Sequence, residues 1–291
     1  MKRQLKAVRA WRPFNGPATV ATRAVARLTG REFETAIKHL PRTGPVRSTL
    51  PNGEVLRLWS RGDDWISNQV FWRGWAGYEP ETTPIFFQLA QEAEVVLDVG
   101  AFVGFFSVLA ALANRRSRVF AFEPMADNAE RARRHIELNR LGNVELVPAA
   151  VAASSGSSEL FHTGSAHPSS TSLVRDFMSS HQDVRSSVVP TVALDSFLEE
   201  RGVRSVSLVK LDIETGEPDA LRGMSETLER DKPAIVCEVL SAEVGAQLQT
   251  ILEPLGYRFY HLTPEGPVER EEIVSHPEWL NYLFAVDRSG F

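Results

Sequence analysis

The stretch Glu94-Val95-Val96-Leu97-Asp98-Val99-Gly100-Ala101-Phe102-Val103-Gly104-Phe105-Phe106-Ser107 decides how this chain is read. An apolar run ends in an acid, turns at one glycine, and passes a second into a segment of helical composition. Such a run, with no polar residue alternating in it, reads as a strand buried on both faces. Gly100 permits a tight turn and a close backbone approach, and Gly104 lets the helix start lie near a ligand or against a neighbouring element. The glycine-x-x-x-glycine spacing differs from the G-x-G-x-x-G of dinucleotide folds, where three glycines make room for a pyrophosphate. It suits a cofactor without phosphate. S-adenosylmethionine is one, since the turn then has to admit only an amino-acid end and a ribose. Asp98 suits its ammonium, directly or through backbone and water.

Moving outward, Arg118-Val119-Phe120-Ala121-Phe122-Glu123-Pro124 is a second apolar strand closed by an acid. At that place in dinucleotide folds a carboxylate accepts hydrogen bonds from both ribose hydroxyls. Glu123 also reads as an acid complementing the dipole of the next helix, and the two roles are compatible. A third cluster, Lys210-Leu211-Asp212-Ile213-Glu214-Thr215-Gly216-Glu217-Pro218, follows the strand Val206–Leu211. Ligands of open α/β sheets bind outside the carboxyl ends of such strands. Asp212 and Glu214 are candidates for a general base or for orienting an acceptor hydroxyl, with Lys210 pairing one of them. The competing reading is an ion-pair network with acids at a helix start, Glu217 being the first bystander. Glu238 closes the following strand and would point into the same crevice.

From Glu94 onward strands and helices alternate. Strands are expected at Val95–Val99, Arg118–Phe122, Val144–Val151, Ser187–Ala193, Val206–Leu211, Ala234–Leu240, Tyr257–Leu262 and Tyr282–Val286. Helices are expected at Gly104–Ala113, Met125–Leu141, Leu194–Arg201, Pro218–Arg230 and Ala242–Leu255. This predicts a doubly wound, mostly parallel sheet covered on both faces. Ahead of it, residues 1–45 read as one or two helices, Pro41–Pro51 as a linker, Val55–Trp59 as a strand and Thr83–Ala90 as a helix. The chain thus divides into a basic helical appendage (1–50), a strand and aromatic-rich segment capping the site (51–92) and the cofactor-binding domain (93–291). Trp72, Trp75 and Tyr78 either wall the acceptor side or plug a core. The segment His162–Ser172, rich in small polar residues, is a long connection of the kind that forms a lid.

Composition bounds the rest. With 291 residues and one cysteine, Cys237 in an apolar strand, internal disulfides and thiolate metal clusters are excluded. His162, His167 and His181 lack accompanying acids at ligand spacing, so no metal is expected. No apolar run reaches membrane-span length, and no apolar stretch follows the basic start as in a secretory signal. A cytoplasmic protein is therefore expected. Residues 1–50 carry about +9 and the remainder about −14. That asymmetry fits an acidic partner such as a phospholipid surface or a phosphorylated substrate carrier, and equally a solvated face or a basic arm packed on the acidic body.

Taken together, these motifs resemble the FkbM-type methyltransferases, S-adenosylmethionine enzymes that mostly O-methylate natural products and glycans. The resemblance spans roughly residues 77–240. It rests on Gly77-Tyr78-Glu79-Pro80, Asp98–Ser107, Val119–Pro124, Asn128, Asn139, Ala149-Ala150-Val151, Ser170-Thr171-Ser172-Leu173, Leu194-Asp195, and Lys210–Glu214 with Glu217. It implies a seven-stranded sheet whose last strand is antiparallel. It implies a cofactor site of Tyr78, Glu79, Asp98, Gly100, Ala101, Phe102, Gly104, Phe105, Glu123, Pro124, Asn128, Ala149, Ala150 and Asp212. Catalysis falls to Asp212, Glu238, Lys210 and Glu214, and acceptor contact to Trp72, Trp75, Ser170 and Ser172. The acceptor is expected to be a small molecule or glycan, not nucleic acid. A homo-oligomer and peripheral membrane contact through the basic arm are further expectations. Two positions depart from the family pattern: Phe102 stands where Asn is usual, and Glu214 is followed by Thr215 rather than directly by glycine. The alternatives are an NAD-dependent oxidoreductase and a Rossmann-like binding subunit without turnover.

Overall fold

The computed structural model describes residues 17–18, 21–22, 24–25, 28, 40–163, 171–180 and 183–286, in two units, Met1–Pro80 and Glu81–Phe291. In the first unit, β1 (Thr43–Thr49) and β2 (Val55–Arg61) form an antiparallel hairpin with Val46 opposite Leu58. Helix α1 (Trp65–Arg73) starts where Asp64 accepts a hydrogen bond from the Ser67 amide at 2.7 Å. It stops at Gly74, whose φ of 91° continues no helix. The expected linker Pro41–Pro51 is therefore mostly a strand: Val46 and Leu50 alternate inward among polar neighbours, and a two-stranded partner was needed to show it. Of the helical appendage, residues 17–18, 21–22, 24–25 and 28 are helical, and all other positions before 40 lie outside the described residues.

The second unit begins with α2 (Thr83–Glu92) and runs through β3 (Val95–Val99), α3 (Phe105–Ala113), β4 (Arg118–Phe122), α4 (Ala126–Leu138) and β5 (Val144–Val147). A side excursion follows, of β6 (Ala150–Val151), β7 (Gly156–Thr163), β8 (Thr171–Ser172) and β9 (Val184–Val192). The chain returns through α5 (Leu194–Glu200), β10 (Leu208–Leu211), α6 (Glu217–Arg222), α7 (Ser225–Asp231), β11 (Ala234–Glu238) and α8 (Ala242–Leu252). It ends with β12 (Arg258–Thr263), β13 (Gly266–Arg270) and β14 (Asn281–Ala285).

The main sheet has eight strands in the order β13-β12-β14-β11-β10-β3-β4-β5. Strands β11, β10, β3, β4 and β5 pair in parallel, and β14 is antiparallel to both of its neighbours. This is the expected methyltransferase sheet with one strand more. The extra strand, β13, is half polar and largely solvated, so no apolar pattern announced it. Leu97, Val99, Val209, Leu211, Ile235 and Cys237 bury one face against Leu194 and Phe197 of α5, Leu221 of α6 and Leu248 of α8. The alternate residues Asp98 and Lys210 sit on the opposite face, beneath α3.

Three expected elements are broken. Val144–Val151 splits at Pro148, which cannot donate to a ladder, and β6 leaves to pair with β9 in a separate sheet ordered β6-β9-β7-β8. Pro218–Arg230 splits at Gly223, where a Cβ would lie 2.3 Å from the Ala152 carbonyl oxygen. Ala242–Leu255 ends as an α-helix at Leu252 and continues as a 3-10 turn. Among the described residues no helix is long and apolar enough to cross a membrane.

Candidate active site

The turn after β3 is built from backbone hydrogen bonds. The amides of Gly100 and Ala101 donate to the Phe122 carbonyl at 3.1 and 2.9 Å, and that of Gly104 to Ala101 at 2.6 Å. His135 Nδ1 bonds the Val103 carbonyl at 2.8 Å. Gly100 has φ 84°, and a Cβ there would lie 1.9 Å from the Asp212 carbonyl oxygen. The close approach this glycine permits is therefore to the turn after β10. Gly104 (φ 76°) lets α3 begin against Ala132 of α4, 3.0 Å from where its Cβ would stand. Ala101 and Phe105 are buried.

Asp98 accepts a hydrogen bond from Ser107 Oγ, one turn into α3, and lies opposite Lys210 in the β3–β10 register. Burial pushes its carboxyl up to about 6; the Ser107 hydrogen bond and Lys210 oppose that rise. Lys210 Nζ is 3.2 Å from Asp212 Oδ2 and 5.0 Å from the centre of the Phe106 ring. Ser107 stands in the opening stretch, three residues past Gly104, and only its helical spacing could have marked it as the partner of Asp98.

Glu123, at the end of β4, binds the glycine turn directly. Its Oε2 accepts from the Phe102 amide at 2.9 Å, and its Oε1 from the Met125 amide at 2.8 Å and Asn128 Nδ2 at 3.4 Å. Burial pushes this carboxyl up to about 7 against those hydrogen bonds. A carboxylate has about four acceptor directions. Three are filled here, leaving one to accept from a ribose hydroxyl, so the carboxylate fits the ribose of S-adenosylmethionine. Pro124 follows in the same loop, and Ala149 and Ala150 lie buried just past β5, the strand beside β4.

After β10 the chain makes a turn with two consecutive non-glycine residues in the left-handed region, Glu214 (φ 55°) and Thr215 (φ 78°). Phe102 is left-handed too (φ 49°). The two departures from the family pattern thus fall on positions where Asn or glycine adopts the backbone with little strain. Each side chain held there costs about 1–2 kcal/mol. Ser172 Oγ donates to the Glu214 carbonyl at 2.6 Å and accepts from the Val174 amide at 2.9 Å. Glu217 Oε1 accepts from the Ile213 amide at 3.0 Å. Burial raises the Glu217 carboxyl to about 7, opposed by backbone amides of Glu217, Ile213 and Thr215 and aided by Asp212.

Glu238 ends β11 one step beyond the Leu211–Cys237 pairing, which sets it beside position 212, with Asn281 of β14 on its other side. Asp98, Lys210, Asp212, Glu123 and Glu238 thus gather at the carboxyl edge of four adjacent parallel strands. Trp72, Trp75, Tyr78 and Glu79 belong to the first unit, where Trp72 Nε1 donates to the Leu40 carbonyl at 3.4 Å. Ser170, His167 and His181 lie outside the described residues, and His162 Nε2 bonds Ser187 Oγ at 3.0 Å.

Among solved structures the chain is similar to the methyltransferase FkbM from Methylobacillus flagellatus KT, with 15% identity and a TM-score of 0.43. That alignment covers 66% of this chain and 43% of the other, so the chain spans under half the length of that relative. It is also similar to an O-methyltransferase from Bacillus cereus in complex with SAH (14% identity, TM-score 0.39, 71% of this chain and 79% of that). The same identity, TM-score and coverages relate it to TomG, an O-methyltransferase of Streptomyces achromogenes involved in tomaymycin synthesis. No curated protein matches the sequence. The family described as the Methyltransferase FkbM domain matches residues 98–287, well over half the chain. Since that match runs from the acid of the glycine turn to beyond β14, the chain belongs to the FkbM methyltransferase family.

Proposed function

We propose that this methyltransferase uses S-adenosylmethionine to methylate a hydroxyl of a small natural product, sugar or glycolipid, with Asp212 as the base. The observation that carries the reading is a difference in exposure among the acids at the sheet edge. Asp98 is 1% exposed and Glu123 4%, whereas the Asp212 side chain is 25% exposed. The first two are shaped to hold the cofactor turn, and the third to meet an acceptor.

When bound, S-adenosylmethionine supplies an electrophilic methyl group on a sulfonium centre. Glu123 accepts from one ribose hydroxyl, and Asp98, through Ser107 and the turn, holds the backbone around the amino-acid end. Lys210 bonds Asp212 Oδ2 and leaves Oδ1 to take the proton of the acceptor hydroxyl. Removing that proton is what an alcohol needs, since it is a poor nucleophile near its ordinary pKa. Glu238, beside Asp212, and Glu214 orient the acceptor.

The test is Asp212→Asn, assayed by calorimetry with S-adenosylhomocysteine and by transfer of labelled methyl to a panel of sugars and hydroxylated scaffolds. The variant is expected to keep its affinity and to lose about a hundredfold or more in transfer, the size of a general-base contribution. Full transfer by the variant would remove Asp212 from the reaction. Failure of the wild type to bind S-adenosylhomocysteine would remove the cofactor.

A further inference from the structure

The turn Asp212–Gly216 carries two left-handed side chains, Glu214 and Thr215, and of its residues the proposed chemistry uses only Asp212 and Glu214. Beneath it lies Glu217, the first residue of α6 and 1% exposed. Its Oε1 accepts the Ile213 amide at 3.0 Å, and its Oε2 is buried with no hydrogen-bond partner among the described residues. A carboxyl group buried at an interior site is retained against the cost of desolvation. Here the bond it makes is to the backbone of the residue that follows Asp212. On the far side of the turn, Ser172 donates to the carbonyl of Glu214 at 2.6 Å. The two side chains grip the two peptide groups that flank the Ile213–Glu214 peptide, one by the N–H of Ile213 and one by the C=O of Glu214.

We infer that Glu217 is a positioning residue, which holds the Ile213 amide and so aims Asp212 and Glu214 at the acceptor, with Ser172 as the second clamp on the same turn. Sequence spacing alone makes Glu217 a bystander at a helix start; the Ile213 bond gives it this task. The inference rests on the proposed role of Asp212. Its geometric half, the grip on the turn, stands apart from that role and is tested apart from it.

The experiment compares Glu217→Ala, Glu217→Gln and Ser172→Ala in the full chain. Each is measured for S-adenosylhomocysteine affinity, for kcat and acceptor KM, and for hydrogen exchange of the 213–216 amides. Glu217→Ala is expected to bind S-adenosylhomocysteine normally and to lose about tenfold to a hundredfold in kcat, as a small misplacement of a reacting group does, with a smaller change in KM. Its Ile213 amide exchanges faster. Glu217→Gln keeps an acceptor oxygen for that amide and recovers most of both losses, while Ser172→Ala shows a milder form of the Ala phenotype. Unchanged kcat and unchanged Ile213 exchange in Glu217→Ala overturn the inference, as does a Gln variant as impaired as Ala. Should the wild type show no methyl transfer, the Asp212 reading fails, and Ile213 exchange alone decides whether Glu217 holds the turn.

Discussion

The backbone amide of Phe102 donates to Oε2 of Glu123 across 2.9 Å, which joins the glycine turn after β3 and the acid after β4 into one unit. The carboxylate that fits a ribose is therefore also a strut of the turn that would receive the rest of the cofactor. Glu123→Ala is expected to lower S-adenosylhomocysteine affinity by about tenfold or more, since hydrogen bonds to an ionisable group contribute about 1.5–3 kcal/mol each. Calorimetry checks this, and an unaltered affinity sinks the assignment of the ribose site.

Thr215 holds a glycine-like φ of 78° with its hydroxyl oxygen buried and without a hydrogen-bond partner among the described residues. Thr215→Gly removes both penalties and is expected to stabilise the fold by about 1 kcal/mol, after the chain-entropy cost of glycine. A rise in melting temperature of about 2–4 °C reads this out, and a fall contradicts the account of strain.

Gly100 is held to glycine by the protein itself. A Cβ there would meet the Asp212 carbonyl oxygen at 1.9 Å, so Gly100→Ala forces the turns after β3 and β10 apart. A loss of about 2 kcal/mol or more in denaturant unfolding is expected even without cofactor. If stability is untouched and only cofactor binding suffers, the glycine serves the ligand instead.

Asp98, Glu123 and Glu217 all have carboxyls raised by burial, to about 6, about 7 and about 7. In the fold these groups keep protons that the unfolded chain has already released. Stability of the cofactor-free protein therefore falls as pH rises from about 4 to about 7, and levels off above that. Melting temperature is expected to be higher near pH 6 than near pH 8, and Glu123→Gln with Glu217→Gln should flatten the slope. An equal slope in that double variant would assign the effect to other groups.

Much of the fold was legible because each central strand is a mostly apolar run and the helices between them are amphipathic or, in α3, apolar and buried nearly all round. Those patterns report burial residue by residue, and their alternation in the chain leaves few arrangements other than a parallel sheet. The strands β3, β4, β10 and β11 were found within about two residues of their limits on that basis. Less legible were β1, β7 and β13. Their residues are small or polar and largely solvated, and pairing with a neighbour, rather than composition, makes them strands. The break at Pro148 was visible as a proline; that the chain then leaves for a second sheet was not.

By itself the sequence determined the carboxyl edge at which the acids assemble, because position in the strand sets which end a residue occupies. It also marked Phe102 and Thr215 as unusual. Tertiary structure alone decided what those residues touch. Phe102 and Glu123 are 21 positions apart, Ser172 and Glu214 are 42 apart, and Gly100 meets the backbone of Asp212. Such contacts depend on strand register and on how closely two turns approach, quantities that no local pattern of polar and apolar residues encodes.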